Sequence, residues 1–439
     1  MGIARSALLG PAARTRAAVQ PFRAVALALA TVVAVSGLAA CVGAGTSPSA
    51  ELSEVPSAGQ TTTGSPTATP SPAVSPLVIP TPRVFAFVAT GSMGEARMDA
   101  AATLLQSGMV LIAGGATFTG SELDANDSAE LYDPTTDKFT QTGPMTTSRV
   151  YETATLLSDG RVLIVGGSAG NCGTRCHDGF DALATAEIYN PATGKFTRTG
   201  SMSQARSSAA AVRLTDGRVL VFGGGPTSAD IYDPSSGKFT RIGTLIAHFG
   251  YSGSNHALLL PDGKALLVSS DDNGPAVITF DPSSGKLAHT SLPPGPVTST
   301  FFDGDGPETA TLLMDGRVLM TEHGYLEVYD PTTGVVTDSG NVASSDSTPG
   351  DFSVSTATLL ADGRVLMAGG FDSSTGPLLP VNLAFLFDPA SGVHQIDPML
   401  SARYHQTATL LSDGGVLIAG GAKVGTGGQD ALKSAELFR

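Results

Sequence analysis

The stretch Ala154-Thr-Leu-Leu-Ser-Asp-Gly-Arg-Val-Leu-Ile-Val-Gly-Gly167 sets two short apolar runs on either side of an Asp-Gly pair. Glycine accepts the positive φ of a tight hairpin and branched residues favour extended chain, so the stretch predicts two strands joined by a two-residue Asp159-Gly160 turn. Successive apolar residues imply that both strand faces are covered. Variants of the block begin at Ala102, Ala211, Ala257, Ala310, Ala357 and Ala408, which makes seven hairpins. Their turn glycines run from Gly108 to Gly414, 306 residues in six steps, a mean of 51. That period belongs with four-stranded propeller blades and is too long for most solenoids.

A third strand also repeats, in Ala129-Glu-Leu-Tyr-Asp-Pro134, Ala186-Glu-Ile-Tyr-Asn-Pro191, Ala229-Asp-Ile-Tyr-Asp-Pro234 and Leu326-Glu-Val-Tyr-Asp-Pro331. Each Asp-Pro or Asn-Pro corner has turn chemistry: Pro fixes φ, the Asp or Asn side chain bonds to backbone ahead, and a glycine such as Gly194 or Gly237 takes the left-handed position. Asp137 stands at that position in the first repeat, where a short polar side chain is tolerated. A fourth strand follows, as in Lys195-Phe-Thr-Arg198. The seventh repeat stops after its third strand, Ala435-Glu-Leu-Phe-Arg439, while Val84 to Met93 aligns with the Phe196 to Met202 segment. The expected fold is therefore an all-β, seven-bladed propeller of four-stranded antiparallel blades. It closes when the N-terminal strand completes the last blade, which removes two exposed sheet edges. Residues 83–439 make one domain on this reading.

The Gly-Gly pairs after the second strand, at 114, 166, 223, 369 and 420, together with Tyr-Asp-Pro after the third, resemble the kelch motif over nearly the whole of that domain. Two repeats depart from it, with Ser269-Ser270 and His323-Gly324. Phe139, Phe196 and Phe239 stand where kelch repeats often carry Trp, a residue this chain lacks.

Propeller topology divides the loops between two faces. The Asp-Gly and Asp-Pro turns share one face and are short. The connections 116–128, 168–185, 244–254, 293–308, 341–352 and 422–434 share the other and read as long and irregular, the usual place for binding. At the channel mouth on that face stand Arg149-Val-Tyr151, Asn255-His256 and Arg403-Tyr404-His405. The last resembles the Tyr-His ligand pair of galactose oxidase, from the same propeller superfamily, and Arg149-Val150-Tyr151 resembles the segment around that enzyme's cross-linked tyrosine. The resemblance implies, as an alternative function, a metal-dependent oxidase of carbohydrates or alcohols using Tyr151, His256, Tyr404 and His405. No cysteine stands where the thioether partner belongs, so the binding-face candidates Arg149, Tyr151, His256, Arg403, Tyr404 and His405 are read as binding or rim residues, with no cofactor and no metal expected. The acidic loops Asp271-Asp-Asn-Gly274 and Asp303-Gly-Asp-Gly306 lack the spacing of a calcium loop.

The N-terminus is basic up to Arg23, uncharged from Ala24 to Ala40 and ends in Leu38-Ala39-Ala40-Cys41, the order of an export signal. The last four residues resemble the bacterial lipobox, which implies lipid on Cys41 and removal of residues 1–40. An ordinary signal peptide or an uncleaved anchor are the alternatives. Residues 41–82, rich in Ser, Thr and Pro, have too little to bury and read as a disordered stalk. Cys172 and Cys176 then remain, most simply as a small disulfide in an oxidising compartment. Without its leader the chain carries 21 basic and 39 acidic residues, a net −18, which argues against nucleic acid. The expectation is a monomeric, exported, lipid-anchored module that meets the membrane through Cys41 and binds a protein or glycan.

Overall fold

The computed structural model describes residues 85–119, 122–170, 181–243, 255–271, 274–292, 307–342, 351–374, 378–425 and 428–439. The leader, Cys41, the stalk, Cys172, Cys176 and the acidic loop at 303–306 lie outside the described residues. The chain is all-β and forms seven four-stranded antiparallel sheets. Blade two shows the plan: Thr153–Leu156, Val162–Val165, Ala186–Asn190 and Lys195–Arg198, each paired with the next. The first strands of the seven blades neighbour one another in cyclic order, with blade seven beside blade one. The ring closes as expected, because Phe87–Ala89 pairs with Ala435–Phe438 in the register Phe87 to Phe438. Phe85 stacks on Phe438 at 5.2 Å beside that seam.

Seven apolar clusters, one per blade interface, take the place of a single core. Val162 and Ile164 pack against Leu111 of blade one, while Leu163 and Val165 pack against Val219 of blade three. This is why the second strands are apolar at every residue: alternate side chains serve opposite neighbours. Polar links reinforce the interfaces, since the hydroxyls of Tyr132, Tyr189 and Tyr232 bond to Thr90, Thr142 and Thr199 of the preceding blade at 2.8, 3.0 and 2.9 Å.

The hairpin turn differs from its expected form by one residue. Leu157 donates to the Arg161 carbonyl at 2.8 Å and Gly160 to the Leu157 carbonyl at 3.1 Å, so the loop is Ser158-Asp159-Gly160. Gly160 has φ +85, while Asp159 is not left-handed. This is a type I turn closed by a glycine bulge, in which only the last residue needs positive φ; a two-residue type I′ turn would require it of both. The Asp-Pro corners form as expected, with Asp133 accepting from the Thr135 amide at 2.9 Å and Asp137 left-handed at φ 55.

Candidate functional site

Two of the long connections are ordered as hairpins of their own, which the irregular reading did not anticipate. Ala116–Thr119 pairs with Glu122–Ala125 on blade one, and Ala422–Gly425 pairs with Gly428–Ala431 on blade seven. The two hairpins stand side by side across the closing seam. A cleft of about 650 Å³ opens there, lined by Phe118, Ser401, Lys423 and Asp430 among others. A second pocket of about 400 Å³ shares Thr117 with it and is acidic, with Glu95, Asp124 and Asp127.

The channel mouth beside the hairpins is built from one repeated position, two residues before the first strand of a blade. Asp99, Tyr151, Ser208 and His405 occupy it in blades one, two, three and seven, and all four are left-handed, with φ 51, 61, 56 and 56. Outside glycine that region is disfavoured, for a bulky residue above all, and such strain clusters at functional sites. A backbone relay holds it in place. Asp99 donates to the His405 carbonyl at 3.1 Å, Tyr151 to the Asp99 carbonyl at 3.3 Å and Ser208 to the Tyr151 carbonyl at 3.0 Å.

Side chains converge on the same spot. The His405 Nδ1 lies 2.9 Å from the Asp99 carboxylate, and the Tyr151 hydroxyl is hydrogen-bonded to the same Asp99. Burial disfavours the His405 imidazolium, but the Asp99 charge and hydrogen bond outweigh it and raise the pKa. Burial, and then the Asp99 charge, raise the Tyr151 phenol far above its ordinary value and the Tyr404 phenol to about 12. The irregular strand start lets the neighbours Tyr404 and His405 meet edge to face at 4.7 Å, although consecutive residues of a regular strand point apart. The Tyr404 hydroxyl is buried and unpartnered.

The other candidates are engaged elsewhere. Arg149 and Arg403, expected at the mouth, turn into their own blades, where their side chains are 0 % exposed. Arg149 meets Glu187 at 3.0 Å and donates to the Gly166 carbonyl at 2.8 Å; Arg403 meets Glu436 at 2.7 Å and donates to the Gly420 carbonyl at 2.8 Å. The first Gly of the pairs at 114, 166, 223 and 420 thus presents its carbonyl to a buried arginine. His256 belongs to blade four, where its Nε2 bonds to the Pro307 carbonyl at 2.9 Å and burial lowers its pKa. One site residue escapes a search for large polar groups: Asp99 is revealed by aligning Arg97-Met-Asp99 with Arg149-Val-Tyr151. Next to Tyr151, Glu152 is a buried carboxyl that burial pushes up to about 8.

These donors do not fit a copper centre of the oxidase kind. The cluster holds one imidazole, whose Nδ1 already serves Asp99, and two phenols with raised pKa values. Among the described residues no group of three or more His, Cys, Asp or Glu side chains is placed to hold a metal.

No protein-family model and no curated protein matches the chain. Solved structures do. A fungal alcohol oxidase of the AA5 family, in complex with copper, is 15% identical, with 81% of this chain and 76% of that one covered and a TM-score of 0.55. The virginiamycin B lyase from Staphylococcus aureus is 12% identical, with 81% and 100% covered and a TM-score of 0.54. A streptogramin B lyase is also 12% identical, covering 81% and 97% with a TM-score of 0.54. At such identities the likeness defines the fold, a β-propeller, and nothing of the chemistry.

Proposed function

We propose that this propeller is a non-catalytic, kelch-like module, lipid-anchored outside the cytoplasm, that binds a protein or glycan partner through its long-loop face. The observation that carries the reading is the cleft of about 650 Å³ between the two extra hairpins, open and mixed in character, with Phe118 beside Lys423 and Asp430. An aromatic ring flanked by a few charged and hydroxyl groups suits a sugar or an extended peptide. On the opposite face the short turns satisfy their own charges: Asp159, Asp216, Asp315 and Asp362 each pair with the arginine two residues on. Asp99 and His405 of the strained rim precede the first strands of blades one and seven, the blades whose hairpins form the cleft.

Labelled protein applied to glycan and peptide arrays tests this. Bound species should be lost with Lys423→Glu and Asp430→Lys and kept with Asp216→Ala. Binding indifferent to the cleft substitutions would refute the assignment of the face. Anchoring is tested separately. Lipid adds about 0.8 kcal/mol per buried methylene, so Cys41→Ser should move the protein from the membrane to the soluble fraction. Unchanged fractionation would refute the lipid reading.

One observation favours the second reading, an oxidase of carbohydrates or alcohols: Tyr151, Tyr404 and His405 do gather at one point. Copper titration with a peroxide assay on galactose and simple alcohols separates the two. We expect weak copper binding and no turnover. Tight stoichiometric copper that is lost with His405→Ala, together with peroxide, would favour the oxidase.

A further inference from the structure

Four blades repeat one buried ion pair, and a fifth keeps only half of it. Arg97, Arg149, Arg206 and Arg403 meet Glu130, Glu187, Asp230 and Glu436 at 2.9, 3.0, 2.9 and 2.7 Å, within blades one, two, three and seven. Blade six replaces both members together: Phe352 stands at the arginine position and Phe385 at the acid position, their rings 6.0 Å apart. Blade four has Ile278 at the acid position and Ser252 at the arginine position. In blade five the acid survives as Glu327, but the lead-in from Leu292 to Glu308 contains no Lys or Arg.

Glu327 is 7 % exposed and its Oε1 is buried without a hydrogen-bond partner among the described residues. Breaking such a pair by losing one partner leaves an uncompensated buried charge, the costly case. The strand beside it adds to the imbalance. Glu187 and Asp230 face Arg198 and Arg241 across the ladder to the fourth strand, whereas Glu327 faces Asp338. Like charges placed directly opposite repel. The ladder also shifts register between Tyr325 and Glu327, so the strands are irregular at the point where the carboxylate sits. Burial and the Asp338 charge together push the Glu327 carboxyl up to about 7.

We propose that Glu327 and Asp338 form a receptor site for a guanidinium group supplied from outside the fold, either a free small molecule or the arginine of a partner. The sister blades define the ligand chemistry, since each places a guanidinium against this carboxylate. A planar fork of N–H donors pairs with a carboxylate at two points. Two carboxylates fall short of the six to eight oxygens that calcium requires. Occupation neutralises the buried acid and releases its proton when it is protonated. The site lies on blade five and is independent of the cleft between blades one and seven.

The test measures the thermal midpoint of the whole mature chain with millimolar methylguanidinium against equal sodium chloride, at about pH 8 and about pH 5, since a bound ligand raises the midpoint only of a protein that binds it. The wild type should gain at the higher pH and gain less at the lower, where Glu327 is protonated. Glu327→Gln, which keeps the shape and removes the charge, should lose the gain. Asp338→Arg should raise the midpoint by itself and abolish the gain, because it supplies the missing cation internally. An acetylated Gly-Arg-Gly amide separates the sources: a larger gain than with methylguanidinium indicates a partner's arginine, and a smaller one a free small molecule. No gain in the wild type, or an equal gain in Glu327→Gln, overturns the proposal.

Discussion

Removing the Arg149 guanidinium should destabilise the propeller far more than removing it together with its partner. In Arg149→Met the Glu187 carboxylate, whose side chain is 0 % exposed, retains only the Thr146 amide at 2.7 Å as a donor. Leaving such a charge unpaired costs about 3–5 kcal/mol, and Glu187→Met, which strands the guanidinium instead, costs about the same. The double substitution leaves no buried charge. It forfeits the donor to the Gly166 carbonyl and the acceptor of the Thr146 amide, at about 1 kcal/mol each, while the Thr185 carbonyl keeps the Gly166 amide at 3.2 Å. The double variant should therefore lose about 2–3 kcal/mol where the singles sum to about 6–10, a coupling of several kcal/mol. An unfolding entropy of about 2.1 cal/mol/K per residue over 85–439 converts each kcal/mol into roughly 1–1.5 °C, so each single should melt about 3–7 °C lower and the double about 2–4 °C lower. Calorimetry shows whether the transition is single, as this conversion requires. Blade six supplies the second arm, since Arg149→Phe with Glu187→Phe copies its Phe352 and Phe385. If the double loss equals the sum of the single losses, the pair is not a coupled unit and the reasoning fails.

A chain that starts at Gly94 lacks the strand paired with Phe438 and should aggregate through the bared Ala435–Phe438 edge; a monomer in size-exclusion chromatography with an unchanged midpoint would refute the closing seam. At Gly167 an added Cβ would meet the Val150 carbonyl oxygen at 2.7 Å with φ +88, so Gly167→Ala should cost about 1–3 kcal/mol. Gly170 is also left-handed, at φ +76, but has open space, so Gly170→Ala in the same denaturation assay should cost about 1 kcal/mol from backbone strain alone. The raised pKa of His405 means that its pairing with Asp99 stabilises fully below the unfolded value of about 6.5 and is lost as pH rises through the folded value. The melting midpoint should fall from mildly acid to alkaline pH, and less steeply in Asp99→Asn.

The propeller was legible because each blade carries its own instructions locally. Asp-Gly and Asp-Pro turns mark most corners, with Ser107-Gly108 and Asn190-Pro191 as variants, and a strand missing after Ala435–Phe438 reappears near Phe87. The type of the Asp159-Gly160 turn was not legible, since the dipeptide serves both hairpin forms and the choice depends on whether Leu157 pairs with Arg161, one residue of register. Tyr151, Tyr404 and His405 could be picked out by size and polarity. Their meeting could not, because it rests on left-handed backbone at Tyr151 and His405, a conformation that side chains of their kind do not advertise. Asp99 was hidden by being small and familiar.

Arg149 and Arg403 show a different limit. Read one at a time, an arginine before a first strand on the loop face is a binding residue. Read against the third strand of its own blade, it is half of an internal pair: blades with the arginine have the acid, and blade six has exchanged both for phenylalanine. Repeated architecture thus supplies its own control, in which several copies define what a position needs and a departing copy must be compensated by some other means. Where both members change together the requirement has gone and packing takes over, as Phe352 on Phe385 does. Where one member alone is lost, as at Glu327, the requirement remains while its Oε1 has no hydrogen-bond partner among the described residues, and the proposed guanidinium would meet it from outside the chain.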